Sequence, residues 1–275
     1  MRIALLTLES ALSAGPVLGL ARALAEGAGG ARLVLVGRSR PYRAAMGGMA
    51  GQMRAHWQRS GPRFLPFLVV NYGLPQMLGD LRRALGGGPL TRLARRHAIP
   101  LLPVEDVNGP DMAAALRAAR PDLILSFHFD QILRAETLAL APLGGINLHP
   151  SLLPRHRGPV PTFWAMREAP PAFGVTLHRM VPRIDAGAIL AQRAMVLPAG
   201  TTAASAARAL HAEGARMALD LLAMLAKGQE LQGIQPDDAP YCPFPSGGAL
   251  REAARHGHRL TGWRDLGAAL AAPAG

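Results

Sequence analysis

Asn147 and His149 stand two residues apart in Gly145-Ile-Asn-Leu-His-Pro. The apolar, branched character of that run predicts a strand, ended at Pro150 because proline cannot donate to a sheet ladder. Residues i and i+2 of a strand leave the same face, so the two side chains make one prepared site at its carboxyl end. A side-chain amide beside an imidazole suits acyl transfer. The amide N–H stabilises charge developing on a carbonyl oxygen, while the imidazole handles the proton of an attacking amine. Asp185, in Ile184-Asp-Ala-Gly and downstream of His178, is the candidate carboxylate of the same site. Taken singly each residue has a plainer reading: a polar pair satisfied for structural reasons, and an aspartate capping its own turn.

The elements that must position these groups alternate in type. Arg2 to Thr7 and Arg32 to Val36 are short β-rich runs, with a helix opened by Pro16 between them. Ile99 to Val104 and Asp122 to Phe127 read as strands, separated by a helix that starts at Pro110 and carries Met112, Leu116 and Ala119 on one face. Gly174 to Met180 alternates as a strand should, and a shorter strand follows around Ala188 to Arg193. Thr201 to Lys227 predicts one long helix, with Thr201 or Thr202 as N-cap and Gly228 just past its end. This pattern is α/β: a mostly parallel sheet with helices on both faces, and ligands gathered at the carboxyl ends of the strands. Residues 1–228 are expected to form the catalytic domain, and residues 229–275 a tail or small helical appendage. From Ser39 to Gly88 the pattern loosens through the glycine–methionine run that begins at Met46. It then reaches an apolar stretch, Phe64 to Leu78, broken by Pro66, Asn71, Gly73 and Pro75.

The composition bounds the partners. Hydrophobic residues make up 49% of the 275-residue chain and charged residues 17%, which is material for a globular core. The formal net charge is +12, carried almost wholly by arginine, with Lys227 as the single lysine. That excess suits an anionic small molecule, nucleic acid or anionic lipid; a GC-rich coding bias explains it equally. Aromatics are only 5%, too few for the stacking faces that RNA-binding modules add to a basic surface, so nucleic acid is disfavoured as a partner. One cysteine, Cys242, permits no intramolecular disulfide and no cysteine-based metal cluster, which suits a reducing cytoplasm. The opening apolar run stops at Glu9 and reads as a buried strand, and no stretch reaches the length of a membrane span.

Three blocks carry a resemblance to a known family. The fourteen residues Gly145-Ile-Asn-Leu-His-Pro-Ser-Leu-Leu-Pro-Arg-His-Arg-Gly resemble the signature loop of the folate-dependent formyltransferases. That family includes glycinamide ribonucleotide transformylase, methionyl-tRNA formyltransferase and the amino-sugar N-formyltransferases. Gly174 to Gln192 is similar to its strand, folate-binding loop and aspartate turn, and Pro121 to Leu133 to the strand and turn whose backbone holds the pterin. The resemblance is specific from Ile99 to Gln192 and follows the first βαβ in outline. It implies a Rossmann-like fold, 10-formyltetrahydrofolate as formyl donor and no metal. It also implies catalytic roles for Asn147, His149 and Asp185, and a folate pocket lined by Phe129, Gln131, Ile132, Leu133, Val181 and Ile184. In the mechanism it implies, an amine attacks the formyl carbon, and Asn147 and a protonated His149 stabilise the oxyanion. Asp185 assists proton movement and, as a nearby carboxylate, keeps His149 charged.

The departures narrow the acceptor. The Gly-Ser-Asn phosphate loop of the purine enzymes is replaced by Thr7-Leu-Glu-Ser-Ala-Leu-Ser-Ala-Gly-Pro, and the tail is about half the C-terminal barrel of the tRNA enzymes. The folate-hydrolysing relatives are expected to carry a regulatory domain ahead of the catalytic one, and this chain starts straight into the fold. Gly158-Pro-Val-Pro-Thr-Phe-Trp-Ala-Met looks closest to the amino-sugar and other small-amine members. A small-molecule amine is therefore the expected acceptor. The alternatives are a methionyl-tRNA formyltransferase-like enzyme and a non-catalytic folate- or RNA-binding relative. Basic residues after Pro150, Arg155 and Arg157, would welcome an anionic ligand. The segment Arg54 to Arg83 is either a cover or docking surface for a hydrophobic or membrane-associated acceptor, giving peripheral membrane contact, or a buried helix with solvated ends.

Overall fold

A computed structural model describes residues 1–42 and 47–273; Met46 and the last two residues of the tail, Ala274 and Gly275, lie outside the described residues. Seven strands form one sheet: β1 Arg2–Leu8, β2 Arg32–Ser39, β3 Leu101–Val104, β4 Leu123–Phe127, β5 Gly145–His149, β6 Gly174–Arg179 and β7 Ile189–Ala194. Their order is β3-β2-β1-β4-β5-β6-β7. The first five run parallel, and β6 and β7 are antiparallel to their neighbours. This is the α/β sheet the sequence predicts. Pro103 is accommodated because β3 is an edge strand.

Both faces are covered, and the period of two along the strands sets which residues go where. Ile3 and Leu5 of β1 and Leu123 and Leu125 of β4 pack with α1 Ala14–Ala25 and the second half of α9 Ala203–Ala226. The intervening Ala4, Leu6 and Ile124 face α6 Pro110–Ala119 and α7 Ala135–Leu138 on the other side. Helix α1 begins two residues ahead of Pro16. Of the two threonines before α9, Thr202 is the cap: its side chain accepts from the Ser205 N–H at 3.0 Å, an arrangement worth about 1 kcal/mol.

A third core cluster joins Phe64, Phe67 and Leu68 to α8 Pro161–Ala165, the start of α9 and Leu250 of α10 Gly247–Arg255. The segment with no clear periodicity folds as α2 Gly48–Ser60, then α3 Leu65–Leu68, a π-helical stretch Val69–Gly73 and α4 Leu74–Ala84. Pro75 explains part of the irregularity. It has no N–H to give the carbonyl four residues earlier, so the Asn71 carbonyl is free to accept from Ser10 Oγ and the Ala11 N–H, each at 2.9 Å. Helix α5 Pro89–Arg96 lies against α1. Residues 229–246 run across the molecule, bridging Ile234 to Ile189 and Tyr241 to Arg157, and α11 Trp263–Ala271 packs on α4 and the π-helical stretch. Among the described residues no helix is long and apolar enough to cross a membrane.

Candidate active site

A cavity of about 390 Å³ opens at the carboxyl ends of β1, β4 and β5. It lies beside the point between β1 and β4 where the strand order reverses, the usual ligand crevice of such sheets. Asn147 and His149, together on β5, line it with Asp185 from the turn after β6. Asp185 adopts a left-handed backbone, φ +47°, a conformation aspartate tolerates better than most residues, and this turns its carboxylate back towards the sheet. One oxygen lies 3.6 Å from Nδ1 of His149 and accepts from the Gly158 N–H at 3.0 Å. The other lies 3.6 Å from Nε2 of His178 and 3.5 Å from Nδ2 of Asn147.

His178 is the residue that sequence reasoning used only as a marker of distance. It sits on β6 directly opposite Asn147 in the antiparallel register and is buried. Its Nδ1–H donates to the Arg179 carbonyl at 2.9 Å, leaving Nε2 to accept from Asn147 Nδ2 at 3.1 Å. His178 therefore fixes which way the Asn147 amide points. The alternation Val175, Leu177 against Thr176, His178 in β6 was the available signal, since it puts His178 on the face that Asn147 uses.

Burial is the largest influence on His149 and lowers its pKa, against the upward pull of the Asp185 carboxylate. His149 is thus neutral at rest. This corrects the expectation of an imidazolium held by Asp185, because desolvation of the charged ring outweighs one carboxylate at this distance. Its Nε2–H donates to the His156 carbonyl at 3.1 Å, and Nδ1 faces Asp185. Both ring nitrogens therefore face an acceptor, ready for the proton that His149 would gain as a base. Burial works to raise the Asp185 pKa, but His149, His178 and the Gly158 N–H together hold it at about 2.

The six residues expected around a folate all line the cavity, with different exposures. Ile132, Val181 and Ile184 are exposed apolar groups at its mouth, and Leu133 is buried in the core against α6. Phe129 packs on the same core. The Gln131 side chain is engaged elsewhere: Oε1 accepts from the Val107 N–H at 2.8 Å, and Nε2 donates to Ser39 Oγ and the Val104 carbonyl. It braces the ends of β2 and β3, while its backbone shapes the turn.

The arginines after Pro150 do not form the open anion site expected of them. Arg157 is buried and spends its guanidinium on the Ile184 carbonyl, from Nε at 3.1 Å and Nη2 at 2.6 Å, and on the Ala239 carbonyl at 2.8 Å. Arg155 pairs with Glu168 at 3.0 Å. The loop after β1 is closed as well. Its N–H groups at Glu9, Ala11, Leu12, Ser13 and Ala14 donate to Ser39, Asn71 and Ser10 acceptors, so none of these five is left for a phosphate. Among the described residues, no cluster of histidine, cysteine, aspartate or glutamate could hold a metal ion.

The sequence and the fold have counterparts in known proteins. The family whose sequence profile is described as Formyl transferase matches residues 74–222. A glycinamide ribonucleotide transformylase 1 from Symbiobacterium toebii superposes with a TM-score of 0.58 at 21% identity, over 86% of this chain and 94% of that one. A phosphoribosylglycinamide formyltransferase from Anaplasma phagocytophilum gives 0.59 at 19% identity, over 89% and 98%. A sugar N-formyltransferase from Shewanella sp FDAARGOS_354 gives 0.54 at 16%, over 89% and 77%. At these identities the structural likeness speaks for the fold.

Proposed function

The chain belongs to the formyl transferase family, and from that premise we propose that it moves a formyl group from 10-formyltetrahydrofolate to the primary amine of a small molecule, an amino sugar or similar. The observation that carries this reading is the convergence of Asn147, His149 and Asp185 on one wall of the cavity, with the contacts given above. The residues also fit the donor. Ile132, Val181 and Ile184 leave apolar surface uncovered at the cavity mouth, on which the flat faces of the donor's rings would pack, at a gain of about 25 cal/mol per Å² of apolar area buried.

The donor supplies an activated formyl carbonyl: the acceptor nitrogen bonds to its carbon, the bond to N10 breaks, and the proton lost by the amine ends on N10. Asn147 donates to the formyl oxygen. Its amide has two N–H groups, one held by His178 at 3.1 Å and one on the longer contact to Asp185, and the second is the one a carbonyl oxygen would take over. His149, neutral at rest, accepts the amine proton. The charge so formed lies between Asp185 and the His156 carbonyl, and His149 then returns the proton towards the leaving nitrogen.

Incubation with 10-formyltetrahydrofolate and a panel of amines is expected to release tetrahydrofolate. Asn147→Ala, His149→Ala and Asp185→Ala should each slow release by about 10² to 10⁴. Undiminished turnover in all three variants would remove the assignment.

A further inference from the structure

Beyond the Asn147 wall the cavity continues into a second region with a different character. Its sides are Leu12 from the loop after β1, Phe67 and Tyr72 from the segment around the π-helical stretch, His128 after β4, and His211 of α9. His128 is tied by Nδ1 to Ser13 Oγ at 2.8 Å and by Nε2 to the Tyr72 hydroxyl at 3.4 Å. The His211 ring lies 4.8 Å from that of His128, and neither of its nitrogens closes a hydrogen bond, although backbone groups of Ala207 and Leu12 lie near enough to influence it. His149 lines the same cavity as His211, so this region adjoins the reacting groups.

We infer that this region is the acceptor subsite, and that it takes an amine borne on an uncharged, apolar or aromatic body while rejecting one that carries a phosphate. The inference rests on the formyl-transfer reading and narrows its small-molecule amine away from polar amino sugars. Among the described residues, none that lines the cavity is a lysine or an arginine, in a chain whose net charge is +12. The two histidines supply no positive charge either. Burial pulls His128 well below the usual imidazole range and His211 to about 4. With five N–H groups of the loop after β1 already taken, a phosphate brought here would lose its hydration with no cation in exchange. An apolar ring gains against the partly exposed rings of Tyr72 and His128, Phe67 and His211 being buried.

The test uses the full chain saturated with tetrahydrofolate, calorimetric titration of tyramine and O-phosphotyramine, and a parallel assay of formyl transfer to each. Tyramine is expected to bind at least tenfold more tightly than its phosphate ester. Tyr72→Ala should weaken tyramine at least fivefold while changing tetrahydrofolate affinity less than twofold; if that variant does not fold, Tyr72→Leu serves. Equal or tighter binding of O-phosphotyramine, no binding of tyramine, or tyramine affinity indifferent to Tyr72 would overturn the inference. Binding as expected, with no tetrahydrofolate released from 10-formyltetrahydrofolate by any amine, would leave the subsite standing and sink the formyl-transfer reading instead.

Discussion

The backbone N–H of Gly158 donates to Oδ2 of Asp185 at 3.0 Å, so the loop after β5 holds the carboxylate that faces His149. Gly158 can do this because it has no Cβ. Its φ is +128°, and an added Cβ would lie 2.2 Å from the Cys242 carbonyl oxygen. Gly158→Ala must therefore shift either this loop or the Tyr241–Cys242 segment. Left-handed strain alone costs about 1 to 3 kcal/mol, and displacement of the donor loosens Asp185. We expect a lower urea midpoint and a kcat reduced at least tenfold; a variant with wild-type values for both would show that the contact is dispensable.

The neutral resting state of His149 sets the acid limb of the reaction. Its pKa is lowered by burial and partly restored by Asp185, so kcat/KM should fall only below the ordinary histidine value of about 6.5. Asp185→Asn keeps the shape and removes the carboxylate that raises His149. The limb should move to still lower pH while kcat drops by about 10² or more. A limb that stays in place in this variant would show that Asp185 does not act on His149.

Much of this site is written in short-range pattern. The i, i+2 spacing of Asn147 and His149 before Pro150 placed both on one strand face, and the turn residues after His178 offered the carboxylate. The strands were legible as short apolar, β-rich runs, and α9 by its threonine cap and the glycine just past its end. Other parts depend on contacts between distant positions. The closure of the loop after β1 by Asn71 joins residues 61 apart in the chain, and arises from a carbonyl freed by Pro75. His211 lies within a helix whose small and apolar neighbours mark it only as core, and its place in the cavity depends on how α9 crosses β5 and β6. The charge state of His149 was misjudged for a related reason: depth of burial, which decided it, is a property of the folded molecule.

Burial of neutral histidines also makes the fold acid-sensitive. In the unfolded chain His128 and His211 take up protons near pH 6.5; folded, burial withholds the proton until pH reaches about 4 for His211 and lies well below 6.5 for His128. Between those values the unfolded state binds more protons, so stability present above pH 6.5 is lost as pH falls. The slope reaches about 1.4 kcal/mol per pH unit for each such group. Asp185, held at about 2, enters only below this window. Urea midpoints at pH 7, 6 and 5 should decline steadily, and His211→Leu should flatten the decline. A flat wild-type profile would contradict the burial argument.

Arg157 couples the aspartate turn to the tail. Three of its N–H groups reach two carbonyls, Ile184 on the residue before Asp185 and Ala239 on the chain that crosses the site. Arg157→Lys keeps the charge and loses the planar fork that serves both acceptors at once, leaving at least one of the two carbonyls without its donor. Two effects should appear together. The tail should loosen, giving faster chymotryptic cleavage after Tyr241, and kcat should fall at least tenfold because the Asp185 turn has lost its tether. A variant whose kcat falls while the tail stays resistant would separate the two acceptors, and would show that the Ile184 contact alone holds the carboxylate in place.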